Sequence, residues 1–110
     1  MTSDDVAQVV RLAAEQVEPR TRAQLTPHFV APRREVHPYG SEGSVQSAEL
    51  WVVMELQDFR VGVVYSTEGY ATEIDARWGL VRLDQIGFGS SGNWYRTLGE
   101  LVDDCGYFRA

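Results

Sequence analysis

The chain contains no lysine: all ten of its basic residues are arginine. It carries one cysteine, Cys105, and two histidines, His28 and His37. A lone cysteine cannot close an intramolecular disulfide, so no disulfide framework holds the fold, in keeping with a reducing compartment. No apolar run approaches the roughly 20 residues that cross a bilayer. The longest, residues 50–54 and 61–65, have the length of strands. The amino end, Met1-Thr2-Ser3-Asp4-Asp5, is acidic and has neither the basic nor the apolar stretch of a signal peptide. These absences predict a cytoplasmic protein with no membrane partner. Arginine usage alone identifies no site, because GC-rich coding produces it as readily as phosphate or carboxylate recognition does.

What is present suffices for one core. With 110 residues, 44% hydrophobic and 11% aromatic, the chain reads as a single domain over residues 1–110. The net charge of −6 is unevenly placed. Residues 1–37 hold five acids and five arginines, which cancel; residues 38–110 hold eleven acids against five arginines. A field of that sign repels phosphate backbones, which argues against nucleic acid and favours a basic protein partner. Solubility alone is the plainer explanation of the same charge.

Ser3 is placed to cap a first helix, with Asp4 and Asp5 in its first turn. Val6, Val9, Val10, Ala13 and Val17 form its apolar stripe, and Pro19 predicts its end at residue 17 or 18. Residues 21–25 suit a short helical turn. Residues 28–37 suit an extended edge segment, since Pro27, Pro32 and Pro38 bar a central strand. Residues 49–56 and 60–66 read as a hairpin around Gln57-Asp58-Phe59. Strict alternation predicts Leu50, Val52, Met54 and Leu56 on one face, opposite Trp51, Val53, Glu55 and Gln57. A third strand is expected over residues 74–83. A closing helix is expected over residues 94–105, with Trp94, Leu98, Leu101, Val102 and Cys105 on its inner face and Gly106 ending it. Gly99 inside that helix signals either a close approach to the sheet or a later start. The expected class is therefore α+β: an N-terminal helix, an antiparallel meander of three to five strands, and a C-terminal helix packed on one face.

Candidate chemistry is sparse. Residues 87–92, Gly-Phe-Gly-Ser-Ser-Gly, match G-x-G-x-x-G, but the following 18 residues hold no returning parallel strand with its acid. A flexible strand-to-helix loop is the simpler reading. His28 and His37 lack further ligands at metal-binding spacing, so no metal is expected. Cys105 follows Asp103 and Asp104, which raise a thiol pKa, and its helical position predicts a buried, inert thiol. No catalytic constellation is legible, so neither an enzyme nor a cofactor is expected. Six aromatics (Phe59, Trp51, Trp78, Trp94, Tyr65, Phe108) are assigned to one core. Tyr39, Tyr70, Phe88 and Tyr95 fall in or beside loops near the acids Glu42, Glu68, Glu73 and Asp75. Those eight residues are the candidate contacts for a basic protein. Loop aromatics that merely close the edges of a small core explain them equally well.

The segments Arg77-Trp78-Gly79-Leu80-Val81, Phe88-Gly89 and Trp94-Tyr95-Arg96-Thr97-Leu98-Gly99-Glu100-Leu101 cover about a third of the chain. They resemble small acidic bacterial immunity proteins of polymorphic and contact-dependent toxin systems. That resemblance implies neutralisation of a toxin by surface complementarity, with no cofactor, and assigns no binding residue. Two other readings stand beside it. One is a small-molecule-binding or enzymatic domain with a cleft between the sheet and residues 87–93, lined by Trp78, Trp94 and a buried Glu73 or Asp75. The other is a self-associating homodimer paired through an edge strand.

Overall fold

The structure, a computed structural model, describes residues 2–39, 46–67, 76–83 and 94–106, with side chains except at 37–39 and 46–48. Helix α1 (Ser3–Glu15) starts one residue earlier than its sequence suggested, because Thr2 rather than Ser3 is the cap. Its hydroxyl accepts the Asp5 N–H at 3.2 Å, and the Asp5 carboxylate accepts the Thr2 N–H at 2.8 Å. The two residues thus satisfy each other reciprocally at three-residue spacing. The Ser3 hydroxyl instead donates to the Pro32 carbonyl at 3.1 Å.

The apolar stripe of α1 buries Val6, Val10 and Ala14. The helix stops at Glu15, short of residue 17, because its last turn tightens. The Gln16 and Val17 N–H groups donate to the carbonyls of Ala13 and Ala14, both at 3.1 Å. Helix α2 (Pro19–Leu25) then turns Arg22 back onto that end. Its guanidinium donates to the carbonyls of Ala14, Glu15 and Val17 at 2.9, 2.9 and 3.1 Å, groups a helix terminus would otherwise leave to water.

A 3-10 turn, Thr26–His28, leads into the sheet. Its strands are β1 (Phe29–Tyr39), β2 (Gln46–Leu56), β3 (Val61–Ser66), β4 (Trp78–Arg82) and β5 (Trp94–Tyr95), joined in sequence order and antiparallel throughout. Helix α3 (Leu98–Cys105) follows. The expected α+β meander between two helices is the observed architecture, and β1, with its two prolines, lies at an edge.

The three helices and one sheet face share a core built on Val6, Leu25, Leu56, Val63, Leu98 and Leu101. On the opposite face Leu50, Val52, Val64 and Val81 form a second buried cluster against Val30 and Trp94. Central strands buried on both faces read as unbroken apolar runs, which is why β2 and β3 give the chain its strongest strand signal.

Strict alternation in β2 does not hold. Val52 pairs with Val64 and Met54 with Val63, so Val53 is an extra residue, a bulge. It returns Met54 and Leu56 to the helix side, with Trp51 and Val53, and leaves Leu50 and Val52 behind on the other. The third strand is shorter than residues 74–83, of which 74 and 75 lie outside the described residues. The closing helix begins at Leu98, so of the two readings of Gly99 the later start applies. Trp94 is a strand residue. It covers Gly79, where a Cβ would stand 2.8 Å from the indole Cε3. The aromatics consequently do not share one core: Trp94 packs on the far face, and Phe59 is 54% exposed in the β2–β3 turn. Phe108 lies outside the described residues. Cys105 is half-buried rather than buried, its thiol directed at the Val102 carbonyl.

Candidate functional site

Pairing brings four aromatics into one row across four strands. Trp51 faces Tyr65, Tyr65 faces Trp78, and Trp78 faces Tyr95. All lie on the helix side, with the Tyr65 and Trp78 rings 4.9 Å apart at 58°. Cross-strand aromatic neighbours of this kind stiffen a sheet. The Trp51 indole N–H is buried without a hydrogen-bond partner. Tyr95 ends the row at the short edge strand.

Tyr95 is the one candidate contact residue described in full, and its hydroxyl is occupied. It donates to the Asp104 carboxylate at 2.7 Å, tying β5 to α3. Burial, then the Asp104 bond and charge, push its pKa up to about 12. Tyr39 is described by its backbone, at the end of β1 opposite Gln46. Glu42, Glu68, Tyr70, Glu73, Asp75 and Phe88 lie outside the described residues, as does the glycine motif at 87–92.

Helix α3 presents the acidic surface next to Tyr95. The Thr97 hydroxyl accepts the Glu100 N–H at 3.1 Å, and the Glu100 carboxylate accepts the Arg96 N–H at 3.3 Å. Leu98, Leu101 and Val102 turn inward, which leaves Glu100, Asp103 and Asp104 exposed at i, i+3 and i+4. Gly106 ends the helix in a left-handed conformation at φ +79°. In the sequence Asp103 and Asp104 stand out only as the acids before Cys105; Glu100 joins them through helical spacing once the helix start is known.

Ion pairs join β1 to β2. Arg33 binds Glu55 at 2.6 Å and Glu35 at 2.8 Å, and Glu55 before Glu35 holds it more firmly protonated. Arg34 meets Glu49 at 3.5 Å. The Thr2 backbone N–H, then its hydroxyl, lower the Asp5 pKa. His28 is half-buried in the 3-10 turn, and the His37 backbone lies in β1. Among the described residues no three His, Cys, Asp or Glu side chains converge on a point, and no helix is long and apolar enough to cross a membrane.

Two concavities flank α1. One, of about 380 Å³, lies between its carboxyl end and the start of α3, with Gln16, Trp78 and Arg96 in its walls. The other, of about 450 Å³, runs along α1 between α2 and β1, over Val10, Ala14 and Phe29. Trp78 and Trp94 belong to clusters on opposite faces of the sheet, so the rings proposed to line one cleft do not converge. The groove along α1 has no counterpart in the sequence reading, since its walls come from three elements. Comparison with protein-family models, with characterised proteins and with solved structures returned no match for this chain.

Proposed function

We propose that this protein is a binding module for a basic protein, docked through the carboxyl-terminal acidic edge. Stoichiometric neutralisation of a toxin is the particular form that its resemblance to immunity proteins implies. One observation carries the reading: α3 exposes Glu100, Asp103 and Asp104 on one side and has no basic residue in its eight positions. Helical neighbours of like charge each cost about 0.2–0.5 kcal/mol. Two of the three also sit in the last turn, where the helix dipole disfavours negative charge by about 0.3–1 kcal/mol. Asp104 and Glu100 also accept bonds within the fold, and the exposed carboxylates are the charge that a basic partner would meet. Tyr95, held beside it, supplies the amphipathic aromatic that protein interfaces favour.

Immobilised protein would be used to recover partners from native lysate at low and high salt, beside a variant carrying Glu100→Gln and Asp103→Asn. A basic partner eluted by salt and lost by the variant is the expected result. Two neutralised charges at about 0.5–1 kcal/mol each weaken binding roughly five- to thirtyfold. Retention indifferent to salt and to both substitutions counts against the reading.

A further inference from the structure

We propose that the groove along α1 is a binding site for a small amphipathic carboxylate, an apolar body carrying one anionic head. The site is independent of the acidic edge on α3 and lies in the part of the chain whose own charges cancel.

The groove lies beside an irregularity in the pairing of β1 with β2. Phe29 pairs with Met54 and Arg33 with Val52, so β1 spends two more residues than β2 between those pairs. Residues 30–32 stand between those two pairs without a β2 partner of their own, and Pro32 among them lines the groove beside α1. Bulges that re-aim a strand are frequent beside binding sites. Two ties then hold the walls apart at a set width. At one end the Ser3 hydroxyl is bonded to the Pro32 carbonyl. At the other, Arg22 is bonded to the carbonyls of Ala14 and Glu15 at the end of α1 and of Val17 just beyond it. The slot is therefore preformed, and a ligand need not order it.

Shape and chemistry select the occupant. About 450 Å³ falls in the range of small-molecule sites. Along α1 the lining runs from Ala7 to Glu15, roughly 12 Å at 1.5 Å per residue. Ties at both ends stop a polypeptide from threading through, which favours a small molecule over a peptide. The floor is apolar: Val10 and Ala14 from the helix, Phe29 and Pro32 from the strand, with Val30, packed on the far-face cluster, at its margin. The charged groups on the rim are Arg11, Arg22 and Glu15, one net positive charge in a protein of net charge −6. The Arg11 guanidinium is exposed and bonded to the neutral Gln8 amide, and among the described residues no ion pair reaches it. A planar fork of that kind takes a carboxylate in two parallel bonds.

The test is a two-dimensional NMR titration of the full chain with decanoate, decan-1-ol and decylamine, each below its aggregation limit. Saturable one-site binding of decanoate is expected, with shifts at Ala7, Val10, Ala14 and Val30 and at least tenfold weaker binding of the alcohol and the amine. Arg11→Gln should reduce the preference for decanoate over the alcohol at least fivefold. Ala7→Phe, at an exposed position, should fill the groove and abolish binding while leaving the thermal midpoint within a few degrees. Equal binding of all three probes overturns the proposal. So do shifts that map outside the groove, non-saturable partition, or undiminished binding to Ala7→Phe.

Discussion

Adding one methyl group at Gly79 tests whether the two faces of the sheet are packed as described. Gly79 is a buried residue of β4, and Trp94 of β5 lies over it on the face away from the helices. A Cβ there would stand 2.8 Å from Cε3 and 2.9 Å from both Cδ2 and Cζ3 of the indole. Three ring atoms closer than any ordinary Cβ contact force the whole indole to move rather than one flexible tip. Overpacking of this kind costs about 1–3 kcal/mol. Replacing glycine by alanine within a strand returns about 0.5–1 kcal/mol of backbone entropy. The net expectation for Gly79→Ala is a loss of about 1 kcal/mol, a fall in thermal midpoint of roughly 4–6 °C for a domain this size. In a Trp94→Leu background the ring is gone, and the same substitution should become neutral or stabilising by about 0.5 kcal/mol. Urea unfolding of the four proteins, with a common slope, yields the coupling directly. If Gly79→Ala shifts both backgrounds equally, or stabilises the otherwise natural protein, the indole is not where this reasoning places it.

Tyr95→Phe removes one hydrogen bond to Asp104 and should lower stability by about 1 kcal/mol at neutral pH. The folded-state pKa of Tyr95 is raised from 10.0 to about 12, so folding holds the proton. Its contribution is complete below pH 10 and is lost as pH rises towards 12. The difference between natural protein and phenylalanine variant should therefore shrink across that window; a constant difference in urea midpoint would refute the assignment. Deleting Val53 removes the extra residue while Met54 and Leu56 keep their partners Val63 and Val61 and their place on the helix side. The loss is then one buried valine side chain, about 1.5–3 kcal/mol. Circular dichroism should show a cooperative melt at a lowered midpoint; a chain without a cooperative melt would refute Val53 as the extra residue.

Local rules were readable wherever one residue dictates backbone or one stripe dictates burial. The valine stripe and Pro19 announced α1. Prolines at 27, 32 and 38 kept residues 29–39 off the centre of the sheet, and the apolar runs at 50–54 and 61–65 announced its two central strands. Gly106 ended the last helix as its freedom at positive φ allows. The candidate site was legible in part. The acid pair at 103 and 104 was visible, but its union with Glu100 and its link to Tyr95 depend on where α3 starts. Trp94 at helical spacing from Leu98 made that start look earlier than it is. Periodicity cannot tell a tryptophan one turn before a leucine from one on a strand that meets Gly79.

Sequence alone determined the class of this protein: an α+β fold, an antiparallel meander because its strands are too closely spaced for parallel crossovers, and an acidic carboxyl two thirds. Tertiary structure decided which face each side chain serves. One extra residue at Val53 sends Met54 and Leu56 to the helices, since side-chain direction in a strand has a period of two and a bulge resets its phase. Two extra residues between Phe29 and Arg33 likewise lie beside a groove whose walls are distant in sequence. Those shifts are set by pairing with neighbouring strands and helices, and no local pattern in β1 or β2 records them.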